Sequence, residues 1–237
     1  MLTDRTAEGI NWSISKLFAY ESCPMQFKLR YIEKLPEPPR PPDNPLERGN
    51  RVHNMLEKYV KGKGSLHGCE AKRIDVFEPH LTHLATLYAD DMATAEDDWF
   101  FNRDWDACAR DNVWLWSKLD FSVTDEANGV VITGDYKTGK SAYKAVDHIQ
   151  QTQLYSAVSA LKYEWAEVLH AEIWYVDEGW IRQAEYTREQ ALKFVGRFNA
   201  RAEKIYQDRL FRPNANKVTC RWCPYSPRGT GACPVGV

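Results

Sequence analysis

Two runs of alternating residues joined by Asn128-Gly129 constrain this chain more than any other part of it. Val113 to Thr124 and Val130 to Tyr136 are rich in β-branched and aromatic side chains, the composition of strands. Asn-Gly between such runs is the strongest short-range hairpin signal. With those two residues as the loop, Ala127 faces Val130, Asp120 faces Lys137, and Asp135 is the diagonal neighbour of Asp120. One face then reads Lys118, Asp120, Ser122, Thr124, Thr133, Asp135 and Lys137, with Val131 its lone apolar member. The other reads Leu119, Phe121, Val123, Val130, Ile132 and Tyr136. Such alternation predicts a core side and a polar surface. Two carboxylates and an ammonium converging on that surface make a donor set for a hard divalent cation and suit metal-assisted attack on a phosphate. A solvated strand face with a charge pair across it is the plain alternative for a lone Asp-x-Lys, so the decision rests on what the rest of the chain supplies.

The 237 residues, 43% of them hydrophobic, suffice for one sizeable core, and a single domain with a terminal elaboration is expected. No apolar run reaches membrane-spanning length and the N-terminus lacks a signal-peptide pattern, so a soluble, cytoplasmic protein with no membrane partner is expected. A net charge of −2 is not the footprint of a protein that coats nucleic acid, and any nucleic-acid contact must be gathered into a patch.

Helical spacing runs over 13–20, and Pro24 suits the first position of a second helix. Residues 1–12 read as a loose lead-in. Residues 35–45 carry six prolines and form a stiff connection. Residues 46–60 read as helix, 76–95 as helix, 99–101 as a short strand before the hairpin, and 146–163 as helix. A strand pair, 166–176 and 180–186, turns at Asp177-Glu178-Gly179. A helix over 187–209 starts at the N-cap Thr187. The order predicts an α/β or α+β sandwich around a central mixed sheet.

Other segments carry chemistry in sequence order. Gly49 and His53 lie one turn apart on a helix, so a close backbone approach at Gly49 brings His53 over the same site. Gln151 and Tyr155 share another helix face, where an amide and a phenol can orient a phosphate or its attacking water. Together, Gly49-x-x-x-His53, Asp120, Asp135-x-Lys137-Thr138-Gly139 and Gln151-x-x-x-Tyr155, with the opening Ser13 to Leu17 and Cys23-Pro24-x-x-Phe27-x-x-x-Tyr31, resemble the RecB-like branch of the PD-(D/E)XK nuclease superfamily. The resemblance implies a restriction-endonuclease-like core, a four-stranded mixed sheet flanked by helices. It implies Mg²⁺ or Mn²⁺ held by His53, Asp120, Asp135 and the Tyr136 backbone carbonyl, with Lys137 acting on the attacking water or on charge developing at the phosphate, and Gln151 and Tyr155 organising the substrate end.

Cys220-Arg221-Trp222-Cys223 and Cys233 sit in a tail with no helix or strand signal, so something else must order it. Three cysteines leave a tetrahedral set one ligand short. Similarity to the iron–sulfur CRISPR-adaptation type of RecB-like exonuclease makes Cys23 the fourth and implies a structural [4Fe–4S] cluster that ties the N-terminal helix to the tail. The gap from Cys223 to Cys233 is longer than that pattern, and Zn²⁺ remains the alternative. Cys69 and Cys108 read as ordinary thiols.

Arg48, Arg51, Lys140 and Lys144 surround the site in sequence and read as DNA-binding, with Lys16, Lys28 and Arg30 as additions. Trp12, Trp116 and Trp222 are the aromatics considered for base stacking, although core packing is the ordinary role of tryptophan. The resulting expectation is a single nuclease domain over 1–237, in which 46–186 form the catalytic core and 13–35 with 210–237 the metal-cluster staple. It hydrolyses phosphodiester bonds as a DNA exonuclease on single strands or duplex ends, in recombination, repair or processing, with recombination or replication proteins as possible partners. Two other readings stand beside it, an endonuclease selecting flaps or branches and a non-catalytic, cluster-stapled DNA-binding subunit.

Overall fold

A computed structural model describes residues 6–41 and 43–237; residues 1–5 of the expected lead-in and Pro42 of the proline-rich connection lie outside the described residues. Five strands form one mixed sheet in chain order: β1 (Ala93–Phe101), β2 (Leu115–Asp125), β3 (Val130–Lys137), β4 (Val168–Tyr175) and β5 (Trp180–Thr187). β3 and β4 run parallel and every other neighbouring pair antiparallel. The parallel step needs a crossover, and α5 (Ala145–Lys162) supplies it. On the sheet's other side lie α3 (Pro45–Val60) and α4 (Ile74–Ala89), whose Val52, Leu56, Phe77 and Leu81 pack on Phe121, Val123, Tyr136 and Trp174. α1 (Ile14–Ser22) starts at the N-cap Ser13, and Pro24 is the first residue of α2 (Pro24–Phe27). α6 (Arg188–Gln207) opens with the expected Thr187 cap, completed by Gln190 as a capping box.

Three expectations change. The helix over 76–95 stops at Ala89, and β1 begins at Ala93 rather than near Trp99. Ala93-Thr94-Ala95-Glu96 is weak strand material on its own, and pairing with β2 overrides its propensity. The lead-in is packed rather than loose from Ala7 onward: Trp12 is 1% exposed, and its backbone bonds to Trp114, just before β2, and to Trp116 within it. The sheet has five strands, not four.

The central hairpin also has a longer loop. A 3₁₀ turn over Glu126–Asn128, closed by Gly129 at φ 66, joins the strands, so Asp125 rather than Ala127 faces Val130. Gly129 takes the left-handed conformation that glycine tolerates without strain. The register therefore moves by two residues. Because strand faces alternate with period two, Asp120, Ser122, Thr133 and Asp135 keep their parity. The face is not a polar surface, however. Ser122, Thr133, Val131 and Asp135 are all buried, covered by α5, as expected of a strand with a parallel neighbour and helices on both sides. α5 meets this polar underside with Thr152, Ser156 and Ser159, each buried and each bonding its hydroxyl to its own helix backbone. Leu154, Ala157 and Val158 of α5 are buried, whereas Ile149 is exposed.

The C-terminal tail adds only the short α7 (Lys217–Cys220). It nonetheless packs against the N-terminal segment. Tyr225 is buried against Cys23, Met25 and Leu29, its hydroxyl donates to the Leu35 carbonyl at 3.0 Å, and the Asn214 amide donates to the Ser22 carbonyl at 3.0 Å.

Gly134 is required by packing. A Cβ there would collide with the ring of Phe121, which is itself held between Tyr136 and Trp174. Gly134→Ala is expected to lower unfolding free energy by about 1–3 kcal/mol, the ordinary cost of overpacking a core, as read by urea denaturation.

Candidate functional site

The site forms where the β2–β3 ladder stops. Backbone pairing runs from Asp125 and Val130 to Phe121 and Gly134 and goes no further. One residue on, Asp120 uses its side chain instead, and its Oδ2 accepts from the Tyr136 N–H at 2.5 Å. On the other side of β2, the pairing with β1 skips Glu96, which adopts a left-handed φ of 52 between the Ala95–Phe121 and Asp97–Leu119 pairs. The sheet is thus interrupted on both flanks of Asp120. The interruption also switches faces: Phe121 and Ala95 pack toward α3 and α4, whereas Leu119 and Trp99 pack in the cluster that includes Leu154 and Tyr155 of α5.

Helices fill the opening. From α3, His53 Nδ1 lies 3.0 Å from Asp120 Oδ1 and 4.0 Å from Glu96 Oε1. The ligand atoms of His53, Glu96 and Asp120 lie within 4.8 Å of one another. From α5, Gln151 Nε2 and the Tyr155 hydroxyl both donate to Asp135 Oδ1, at 2.7 and 3.0 Å. Lys137 Nζ stands 2.5 Å from Asp135 Oδ2 as an ion pair, and this buried oxygen has no other partner among the described residues. Gly49 makes the close approach expected of it, since a Cβ there would sit 3.3 Å from Thr138 Oγ1. Among the residues named from sequence, His53, Asp120, Asp135, Lys137, Gln151 and Tyr155 are brought together.

The profile of the PD-(D/E)XK nuclease superfamily matches residues 11–228. The chain belongs to this superfamily. Its mixed sheet flanked by helices is the α/β, restriction-endonuclease-like architecture, and the superfamily makes it a metal-dependent, phosphodiester-hydrolysing nuclease. The crystal structure of SSO0001 is similar over 98% of this chain and 90% of that one, with TM-score 0.41 and 14% identity. No curated protein matches significantly. No helix among the described residues is long and apolar enough to cross a membrane.

In this nuclease the donor set fits Mg²⁺ or Mn²⁺. The half-buried His53 imidazole and the Glu96 and Asp120 carboxylates bring one nitrogen and two carboxylate donors to one gap, and Asp135, ion-paired with Lys137, adjoins it. Glu96 escaped sequence reading because it fell at the boundary assigned to a helix; only its register opposite Asp120 reveals it. His148 and Tyr175 were missed too. His148 stands three residues before Gln151 on the same stripe of α5, and Tyr175 ends β4; both line the site's cleft.

The basic residues divide. Lys140 and Lys144 are exposed and line the cleft, which has a volume of about 960 Å³. Arg48 is committed elsewhere: its guanidinium grips Asp177 with two 2.7 Å bonds. Asp177 also accepts from the Lys72 and Gly139 amides, so Arg48 anchors the Thr138-Gly139 loop to α3. Arg51 pairs with Glu70, Lys16 donates to Asn11, Lys28 is buried and Arg30 pairs with Glu37. Trp12 is core and Trp116 is bonded to Asp98, whereas Trp222 is 82% exposed.

Cys23, Cys220, Cys223 and Cys233 line one small pocket of about 10 Å³ together with Gln26, Leu29 and Pro213. Among the described residues no three of their sulfurs approach within 4.8 Å of one another.

Burial, then the charge of Asp135, raises the Asp120 carboxyl above the usual carboxylate range against the pull of His53. At Asp135, burial is outweighed by Lys137, His53 and Tyr155, and its carboxyl is lowered. Burial lowers His53, but the hydrogen bond and charge of Asp120 prevail and its imidazole is raised. Groups raised on folding contribute stability below their ordinary values, about 3.9 for Asp and 6.5 for His. That contribution is lost as pH rises through the folded values. A cation needs the carboxylate and the neutral imidazole, and so works the other way. Between about pH 5 and pH 8, the melting temperature of EDTA-treated protein is expected to fall relative to Asp120→Asn. Mn²⁺ should raise the wild-type value more at the upper end. An equal Mn²⁺ effect at both ends would contradict this site.

Proposed function

We propose that this protein is a RecB-like DNA exonuclease acting on single strands or free ends, stapled by an iron–sulfur cluster. The observation that carries the catalytic part is the convergence of His53, Asp120, Asp135 and Lys137 at the point where β2 and β3 part. His53, Asp120, Asp135 and the Tyr136 carbonyl hold the cation, and Glu96 joins them. When bound, a divalent cation neutralises charge at the phosphate and makes water acidic enough to attack near neutral pH. Gln151 and Tyr155 fix Asp135 through one oxygen, and Lys137 pairs with the other. Lys137 either positions and helps deprotonate the attacking water or, as an ammonium, neutralises charge developing on the phosphate. Residues 46–186 are the catalytic core.

The cleft supports the substrate assignment. Ile14 and Phe18 of α1, Leu46 of α3 and the 81% exposed Tyr143 give it apolar walls, while Lys137, Lys140 and Lys144 give it charge. Unpaired bases stack on such walls while lysines track the backbone. End-labelled single-stranded and duplex oligonucleotides with Mn²⁺ test the reading. Wild type should shorten them from an end. Lys137→Ala should lose about 10²–10³-fold in kcat, the scale of one charge-stabilising group, and Asp135→Ala should fall to background. Wild-type protein that cuts neither substrate sinks the proposal.

The four cysteines around one cavity support the cluster. An iron–sulfur cluster held by these four residues would join 13–35 to 210–237. Anaerobically purified protein should carry iron and absorb near about 400 nm, and Cys233→Ser should lose both. A colourless protein with one zinc per chain would overturn this part.

A further inference from the structure

One polar pair in the cleft has no part in the chemistry above. His148 lies in the first turns of α5 and is 7% exposed. Its Nδ1 is 2.8 Å from the Tyr175 hydroxyl. Tyr175 is itself buried and stacks on Trp180 with ring centroids 4.4 Å apart. The imidazole is therefore fixed through one nitrogen by a phenol that cannot move. No described residue pairs with its Nε2, and both His148 and Tyr175 line the cleft beside Lys137 and Lys144.

Position along the helix gives this pair its meaning. His148, Gln151 and Tyr155 are spaced three and four apart, so they share one stripe of α5. Gln151 and Tyr155 end at Asp135. His148 lies about one helical turn, roughly 5.4 Å, further toward the N-terminus. That end of a helix carries partial positive charge. We propose that His148 Nε2 and the Lys144 ammonium form a second phosphate subsite, which holds the diester next to the one that is cut, with Tyr175 fixing the imidazole's tautomer. The inference rests on the nuclease reading above and deepens it.

The chemistry is consistent throughout. A tyrosine hydroxyl that donates to Nδ1 leaves the proton on Nε2, which then donates into the cleft. Burial, then the charge of Lys137, lowers the His148 imidazole to about 4, so the ring is neutral at pH 7 and acts by hydrogen bonding. Lys144, exposed at the cleft wall, supplies the charge. A phosphodiester accepts from both donors and also answers the ammonium's charge, which a neutral base edge does not. Tyr175 is a positioning residue in this scheme, since it acts through His148.

The test uses the full chain with Mn²⁺ and single-stranded oligonucleotides carrying one methylphosphonate, a neutral linkage, at successive positions. His148→Ala should raise KM about tenfold, the size of one hydrogen bond to a charged group, with kcat changed less than about twofold. His148→Gln, which keeps a donor, should recover most of the loss, and Tyr175→Phe should raise KM several-fold. Methylphosphonate at the neighbouring linkage should raise KM for wild type and leave His148→Ala nearly unaffected. Mn²⁺ affinity by electron paramagnetic resonance should match wild type in all three variants. An unchanged KM, an undiminished methylphosphonate penalty in His148→Ala, or a joint loss of kcat and Mn²⁺ affinity would each overturn the subsite. Wild type that cuts nothing overturns the nuclease reading instead. The subsite then stands if oligonucleotide binding is weakened by His148→Ala and falls if it is not.

Discussion

A single substitution of acceptors organises this molecule: the Asp120 carboxylate takes the Tyr136 N–H that a backbone carbonyl would otherwise receive. It lets β2 and β3 separate without leaving a buried donor unpaired, which would cost a hydrogen bond in a low-dielectric interior. Glu96 does the matching work on the other flank by adopting a left-handed backbone that drops it out of the β1–β2 register. Strain of this sort persists only where surrounding structure enforces it. Here the result is a gap in an otherwise continuous sheet, with acids on its rim and helices on both sides.

Those helices make the gap specific. α3 contributes an imidazole from one side, and its close approach depends on Gly49 lying against Thr138. α5 contributes an amide and a phenol from the other. The two buried acids are consequently unlike: Asp120 is destabilised as an anion and Asp135 stabilised by Lys137. Environments that push two acids apart are the usual way one site obtains groups with different tasks. Arg48 illustrates a second division of labour. Its charge lies at the cleft, yet its bidentate grip on Asp177 makes it a clamp on the loop that follows Lys137.

The termini follow a different logic. The tail has almost no regular structure and a small apolar contact through Tyr225. Such segments hold their conformation only with an additional constraint. The small pocket lined by Cys23, Cys220, Cys223 and Cys233 lies at the join between tail and N-terminal segment, where a constraint would act on both.

The sequence by itself determined which residues meet. Period-two alternation survives a register shift of two, so Asp120 and Asp135 kept their parity although the loop was longer than Asn128-Gly129 alone. Helical spacing fixed Gly49 with His53 and Gln151 with Tyr155 because those pairs are local, and chain order supplied the family resemblance. Tertiary structure alone decided what depends on pairing between distant segments: that Ala93 begins a strand, that Glu96 stands opposite Asp120, that the polar hairpin face is buried beneath α5, and that Arg48 and Arg51 are bound to acids far along the chain. Propensity and periodicity describe a segment's own preferences, whereas register, burial and ion pairing belong to the partner it finds.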